Sequence, residues 1–320
     1  MSSLPAPELS VVICTYDRPA GLAATLRSVL GQDNAGGQAR EIVVIDNHPS
    51  GSGRDVVEGL AGSPVPIRYV TELTRNMSAL RNRGFAEAQG RLVAMIDDDE
   101  VAAPDWLDRL VEALHAAKAD IAVGPRLAAF EGGAAPAYDP KGNQFTRDLH
   151  LADHTLIALT EPSGKPRYGL GTGNSLFDTL ACFPGREPPM REAFGDAGGE
   201  DAELFVRLHR RGRRIVWAAR AFVTETVTAN RTSVAYRLIR TRRETQHYVS
   251  IYLDGASMRP LALAVLTAKG VLQVGAGAAL ALFGGELWSD RRITGRLLIQ
   301  HGLGKLTWTR PVGYIVEINT

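Results

Sequence analysis

The chain has 320 residues, of which 45% are hydrophobic and 22% charged, the composition of an ordinary globular protein with length for one large domain or two. Its two cysteines, Cys14 and Cys182, exclude a disulfide framework and a cysteine zinc site and suit a reducing cytosol. Net charge is +1, yet residues 1–230 carry 24 basic and 30 acidic groups whereas residues 231–320 carry 12 and 5, so the last quarter is a basic appendage fit for an anionic partner, nucleic acid or a lipid surface.

The first ten residues, MSSLPAPELS, hold no basic stretch followed by an apolar one, so no secretory signal is expected and the chain should remain inside the cell. Leu9 to Thr15 reads as a buried strand, Tyr16-Asp17-Arg18-Pro19 as a loop, and Leu22, Leu26, Val29 and Leu30 recur at helical spacing. Glu41 to Asp46 repeats the theme and runs into Asp46-Asn47 and the turn-forming stretch His48 to Gly53. A third strand, Ile67 to Val70, precedes a helix around Ala79 to Ala88, and a fourth, Leu92 to Ile96, stops abruptly at Asp97-Asp98-Asp99-Glu100. This alternation predicts a parallel, Rossmann-like sheet. No G-x-G-x-x-G follows the first strand and no Walker A sequence occurs, which argues against a dinucleotide held in that way.

The four acids deserve a chemical reading. They sit at the carboxyl end of a strand, the edge where open α/β sheets bind ligands. Carboxylates packed together repel unless protons or a divalent cation neutralise them, although a solvated acidic turn is the alternative. Further on, Gly171-Thr172-Gly173 suggests a loop that needs close backbone approach. The stretch from Gly185 to Gly199, rich in glycine and proline and holding Arg186, Arg191 and Phe194, suits a loop that closes over a ligand. Glu200-Asp201 opens an amphipathic helix with Leu204, Phe205 and Leu208 on its apolar face, where an acid also serves as an ordinary N-terminal charge. Two short strands, Arg213 to Trp217 and Ala221 to Thr226, follow.

In the basic end, Arg231, Arg237, Arg240, Arg242 and Arg243 fall on an expected helix with Val234, Leu238 and Ile239; His247 beside it reads as a surface residue. Leu261 to Phe283 would rise about 34 Å as a helix against a hydrocarbon core of about 30 Å. Its apolar residues favour insertion by roughly 3 to 6 kcal/mol, and Lys269, with Gln273 and three glycines, opposes it by a similar amount. A helix or hairpin dipping into one leaflet is therefore expected rather than a true span, with a soluble helical core as the alternative, followed by a basic interfacial segment carrying Trp288, Arg291, Arg292, Ile293, Arg296, Leu297 and Leu298.

Six motifs, SVVICTYDRP, EIVVIDN, RNMSALRNRG, IDDDE, GTGNSLF and GGEDAELFVRLHRRG, occur in the order seen in family-two glycosyltransferases of the GT-A fold. The chain resembles that family over roughly residues 8–230 and, between Arg213 and Tyr248, is similar to bacterial succinoglycan-type glucosyltransferases. The resemblance implies an α/β, GT-A Rossmann-like, mostly parallel sheet flanked by helices, with a basic C-terminal helical segment that associates with membrane. It divides the chain into a nucleotide-sugar-binding half (1–125), an acceptor and catalytic-base half (126–230) and the C-terminal region (231–320).

It also implies residue roles. Thr15, Tyr16, Arg18 and Asp46 would hold the nucleotide, with Asn47 where the family often has a second acid. Arg81 would lie near the pyrophosphate, and Asp97 would contact the ribose or donor sugar. Asp98 is open between ligand and sugar-hydroxyl acceptor. Asp99 would bind Mg²⁺ or Mn²⁺, which acts as Lewis acid for the departing diphosphate. Many relatives have a histidine after the second short strand; here Thr224-Glu225 stand there, and Glu225 is offered as replacement ligand. Asn174, Ser175 and Glu200 would meet donor sugar and acceptor, and Asp201 would be the general base of an inverting displacement. Arg231, Arg240 and Arg243 would contact a diphosphate or lipid headgroup.

The function so implied is addition of a single sugar from a nucleotide-sugar donor, UDP-linked by resemblance, to a polyprenyl-diphosphate-linked or saccharide acceptor in bacterial exopolysaccharide or surface-glycan synthesis. It would act at the cytoplasmic face of the inner membrane and without nucleic acid. The sequence has no Gln-x-x-Arg-Trp motif of the kind processive synthases carry. The rivals are a non-catalytic nucleotide-sugar-binding scaffold and a nucleotidyltransferase, for which TYDRPAG is a poor match.

Overall fold

The computed structural model describes residues 8–32, 40–185, 187–283 and 289–313. Along the chain, β1 (Leu9–Thr15), α1 (Pro19–Leu30), β2 (Arg40–Asp46), α2 (Arg54–Glu58), β3 (Ile67–Thr71), α3 (Met77–Glu87) and β4 (Leu92–Asp97) form the expected alternation. Then come β5 (Glu100–Ala102), α4 (Trp106–Ala116), β6 (Ile121–Val123), β7 (Arg126–Phe130), β8 (Thr155–Leu156), β9 (Ser175–Asp178), α5 (Thr179–Cys182) and α6 (Glu192–Gly195). The rest is α7 (Glu200–Arg210), β10 (Ile215–Trp217), β11 (Val223–Val227), α8 (Val234–Gly255), α9 (Arg259–Phe283) and α10 (Ser289–Leu306).

The main sheet has strand order β3-β2-β1-β4-β9-β6-β10-β8. Strands β1 to β4 pair parallel, and their register sets Thr15 beside Asp46 and Cys14 beside Asp97, so the loops that follow share one edge. Their central strands are buried on both faces, which is why they read as continuous apolar runs. Val11 and Ile13 point to Leu22, Leu26, Trp106 and Leu110 on one side. Val12, Val43 and Ile45 point to Leu80, Phe177, Phe205 and Trp217 on the other.

Antiparallel β9 inserts between β4 and β6, so the two halves expected on either side of residue 125 share a single sheet. A second sheet, β5-β11-β7, sets Glu225 opposite Glu100 and thereby brings β11 to the acidic turn. Arg231 lies in a 3-10 turn, Ala229–Thr232, one step before the helix on which it was expected.

At the C-terminal end α9 and α10 form an antiparallel hairpin whose axes meet glycine to glycine. A β-carbon at Gly277 would come within 2.6 Å of the Gly295 carbonyl oxygen, and one at Gly302 within 2.6 Å of that of Gly270. Segment 259–282 is long and apolar enough to cross a membrane, and much of its apolar surface is uncovered, with Leu272 72% and Leu282 76% exposed. Trp288, expected at the interface, and Arg186 lie outside the described residues.

Candidate active site

The parallel strands end at a cleft of about 610 Å³ that receives the loop after β1, the turn after β4, the start of α7 and one face of α8. The turn after β4 is built to concentrate acid. Asp98 is buried, accepting hydrogen bonds from Thr15 Oγ1 (2.8 Å) and Arg18 Nη1 (3.0 Å). Asp99 Oδ2 receives Arg18 Nη1 at 2.9 Å and Arg231 Nη1 at 3.2 Å, whereas its Oδ1 makes no hydrogen bond among the described residues. Burial, then the nearby charge of Glu225, push the Asp99 carboxyl up to about 7. Glu100 is buried too, accepting from the Asp97 backbone N–H at 3.1 Å, and its Oε1 has no hydrogen-bond partner among the described residues. A β-carbon at Gly173 would stand 2.8 Å from that oxygen and press on the Asp97 carboxylate, so both side chains would have to move.

Across the cleft the first turn of α7 presents Glu200 and Asp201. Asp201 Oδ1 accepts from Thr172 Oγ1 at 2.9 Å. Arg81, buried on α3, joins the two acidic centres: Nη2 lies 3.6 Å from Asp97 Oδ1, and Nη1 pairs with Glu200 and lies 3.4 Å from Asp201 Oδ1. Burial would lower the pKa of this guanidinium, but Asp201, Glu200 and Asp97 together push it well above its ordinary value.

The acids at the end of β4 and the start of α7 thus converge on one cleft, although Asp97 and Asp201 are 104 positions apart in the chain. The family model for glycosyl transferase family 2 matches residues 10–164. The succinoglycan biosynthesis protein ExoM of Rhizobium meliloti is 33% identical over 249 residues, covering 78% of this chain and 76% of its own. The chain belongs to glycosyltransferase family 2. A further relative of this glycosyltransferase is the Campylobacter jejuni GalNAc(5)-diNAcBac-PP-undecaprenol beta-1,3-glucosyltransferase, 27% identical over 72% of this chain and 71% of its own. Among solved structures, Staphylococcus aureus TarS 1-349 in complex with UDP superposes with a TM-score of 0.55 at 14% identity, covering 95% of this chain and 91% of that one. Mannosyltransferase PcManGT from Pyrobaculum calidifontis in complex with GDP-Man and Mn²⁺ gives 0.54 at 18%, covering 94% and 88%. These two likenesses show a GT-A-like fold.

Of the residues singled out in the sequence, Thr15, Tyr16, Arg18, Arg81, Asp97, Asp98, Asp99, Glu200, Asp201, Glu225, Arg231, Arg240 and Arg243 line the cleft of this glycosyltransferase. Several nonetheless do work inside the protein that differs from expectation. Glu225 is not an open ligand: its Oε2 lies 3.0 Å from Arg126 Nε and its Oε1 2.7 Å from Arg231 Nη1. Despite the desolvation of burial, Arg126 and Arg231 hold its carboxyl below the ordinary range. Glu200 accepts from Arg81 with one oxygen and from the Gly199 N–H (2.6 Å) with the other, so both oxygens also serve the protein's own structure. The Arg81 guanidinium is surrounded by carboxylates rather than open to a phosphate.

Asn174 and Ser175 lie outside the cleft lining. Asn174 accepts from Trp106 Nε1 and donates to the Pro125 and Ala221 carbonyls, at 2.7, 2.8 and 2.7 Å, and Ser175 donates to Thr172 O at 2.6 Å. They therefore splice β9 to its neighbours and support the loop that carries Thr172. Asp46 also lies beneath the surface, accepting from the His48 and Gly53 N–H groups and from Tyr69 OH at 2.8, 2.7 and 2.7 Å. Its neighbour Asn47 reaches the cleft instead.

The loop of residues 187–199 is fastened to α3. Asn82 exchanges two hydrogen bonds with the Met190 backbone (2.9 and 2.7 Å), Ser78 donates to Arg191 O (2.9 Å), and Asn76 donates to Glu192 O (3.0 Å). The motif RNMSALRNRG thus holds the loop leading to Asp201. His247, expected on the surface, is buried against Gly199 with Nε2 3.0 Å from the Ala197 carbonyl oxygen. Sequence reasoning missed Arg126 and Arg147, whose backbones pair across a bridge; no local pattern announces a bridge between residues 21 positions apart.

Proposed function

We propose that this glycosyltransferase transfers a single sugar, with inversion, from a UDP-linked donor to a lipid-linked or saccharide acceptor in bacterial exopolysaccharide or surface-glycan synthesis. The carrying observation is Arg81, whose one guanidinium reaches both Asp97 at the end of β4 and Asp201 at the start of α7. Asp201 takes the acceptor proton: Thr172 fixes Oδ1, and Oδ2 has no hydrogen-bond partner among the described residues. A single carboxylate base facing the departing group is suited to in-line displacement and inversion. Thr15 and Arg18 hold Asp98 still, and the Arg18 and Arg231 cations flank the place where the leaving diphosphate gains charge.

A divalent cation suits the donor wall. Among the described residues no three acidic, histidine or cysteine side chains gather as a closed metal cage. Mg²⁺ is commonly held by one or two carboxylates plus substrate phosphates. Asp99, with an open Oδ1 and a carboxyl pushed up by burial and then by the charge of Glu225, matches that pattern, with Asp97 beside it. When bound, Mg²⁺ or Mn²⁺ would supply charge neutralisation for nucleoside-diphosphate departure. Glu225 sets Arg231 against Asp99 rather than completing the ligand set.

The relative acting on an undecaprenyl-linked substrate supports a lipid-linked acceptor, and the exposed apolar face of α9 supports work at the cytoplasmic membrane surface. Incubation with a panel of nucleotide sugars tests the reading. Metal-supported release of nucleoside diphosphate is expected; release of pyrophosphate would indicate nucleotidyl transfer, and binding without turnover would indicate a scaffold.

A further inference from the structure

Most cleft arginines are committed to acids: Arg18 and Arg231 to Asp99, Arg81 to Glu200, Arg126 to Glu225 and Arg240 to Glu244. Arg75, Arg167 and Arg147 line the same cleft with no side-chain hydrogen bond or ion pair among the described residues; Arg75 and Arg167 are exposed, and of the three only Arg147 is half-buried. Its backbone is fixed by two bonds to Arg126, 2.9 and 2.7 Å, so the two arginines start side by side and part, one to Glu225 and one to the cleft. The guanidinium lies over Gly171, where a β-carbon would stand 2.8 Å from both Nη1 and Nη2. The next residue, Thr172, holds the base Asp201.

A desolvated arginine with no protein partner is poised for an anion, and its fork suits phosphate. Burial and then the Arg126 charge lower its pKa to about 10, a cost that a bound anion would relieve. The donor side at Asp98 and Asp99 has its own cations, Arg18 and Arg231, whereas the Arg147 guanidinium lies over Gly171, next to the Thr172 that holds the base, and feels the charges of Asp201, Glu100 and Glu225. The segment carrying it is tied to α8 by Arg237 Nε donating to Gln144 Oε1 at 2.7 Å. From α8 the cleft receives Arg243, Tyr248 and Ile251, and the chain continues into the exposed apolar face of α9.

We propose that Arg147 binds a phosphate group of a lipid-linked acceptor, on the acceptor side of the cleft. The assignment rests on the glycosyltransferase reading given above, but its test does not need turnover. Binding of geranyl diphosphate to the full chain, with UDP present to fill the donor site, is measured by calorimetry for the wild type, Arg147→Gln and Gly171→Ala. Arg147→Gln should weaken geranyl diphosphate roughly 10- to 100-fold, as expected for a charge-assisted contact, with UDP affinity changed less than about twofold. Gly171→Ala, which displaces the guanidinium without removing it, should act in the same direction by a smaller factor and serves should Arg147→Gln not fold.

Unchanged geranyl diphosphate binding overturns the proposal, and an equal loss of UDP affinity reassigns Arg147 to the donor. A glucuronate probe that depends on Arg147 while geranyl diphosphate does not would make the anion a sugar carboxylate and also overturn it. If no nucleotide sugar is turned over while the Arg147 effect on geranyl diphosphate persists, the enzymatic reading fails and the anion site stands.

Discussion

Arg81 shows at the scale of one residue how a motif position can be legible while its task is not. The sequence suggests an arginine near the donor phosphates, and in the structure Arg81 lines the cleft. Two of its three carboxylate partners, Glu200 and Asp201, come from 119 and 120 positions away, where local patterning carries no information. Its side chain and that of Glu200 are 7% and 5% exposed, so removing the cation strands a buried carboxylate. Arg81→Met should therefore lower stability by about 3 to 5 kcal/mol, read from the urea midpoint. A loss near 1 kcal/mol would show that Glu200 is satisfied without it. Glu225 teaches the same lesson in reverse: an acid offered as a metal ligand is held between Arg126 and Arg231, because β5 and β11 pair and the 3-10 turn folds back.

Among the elements, β1 was legible to the residue and the strands ending at Asp46 and Asp97 nearly so, because doubly buried parallel strands leave apolar runs bounded by turn residues. Strands β8 and β9 were not, being two and four residues long and held by partners distant in sequence. The segment before Asp201 read as a mobile cover because glycine and proline dominate it, yet α3 fastens it. Asn82→Ala should cost about 1 to 3 kcal/mol and speed amide exchange in residues 187–199 relative to the β-strands. Unchanged exchange there would show that Ser78 and Asn76 suffice. The C-terminal hairpin depends on small residues at 270, 277, 295 and 302. Gly277→Leu should force α9 from α10 at a cost of about 1 to 3 kcal/mol, seen as faster exchange across α10; an unperturbed α10 would contradict the close-packed seam.

The whole molecule divides its charge as it divides its labour. An acidic catalytic body carries the cleft, and the basic end contributes the α8 wall and the apolar hairpin. Exposed leucines on α9 beside Arg291, Arg292 and Arg296 suit an anionic membrane surface. The full chain should float with vesicles containing anionic lipid, less so at high salt, and Leu272→Glu combined with Leu282→Glu should return it to the soluble fraction. Wild-type protein that stays off such vesicles would remove the membrane from the account.

The central claim is that Asp201 removes the acceptor proton while the acids of β4 hold the donor. It is tested most directly by sugar transfer to a lipid-linked acceptor extract, compared for wild type and Asp201→Asn, with UDP binding measured on the same preparations. The account predicts a fall in kcat of about 10²- to 10⁴-fold with UDP affinity within about twofold of wild type. Transfer within about threefold of wild type, or a loss of UDP binding matching the loss of rate, would contradict it.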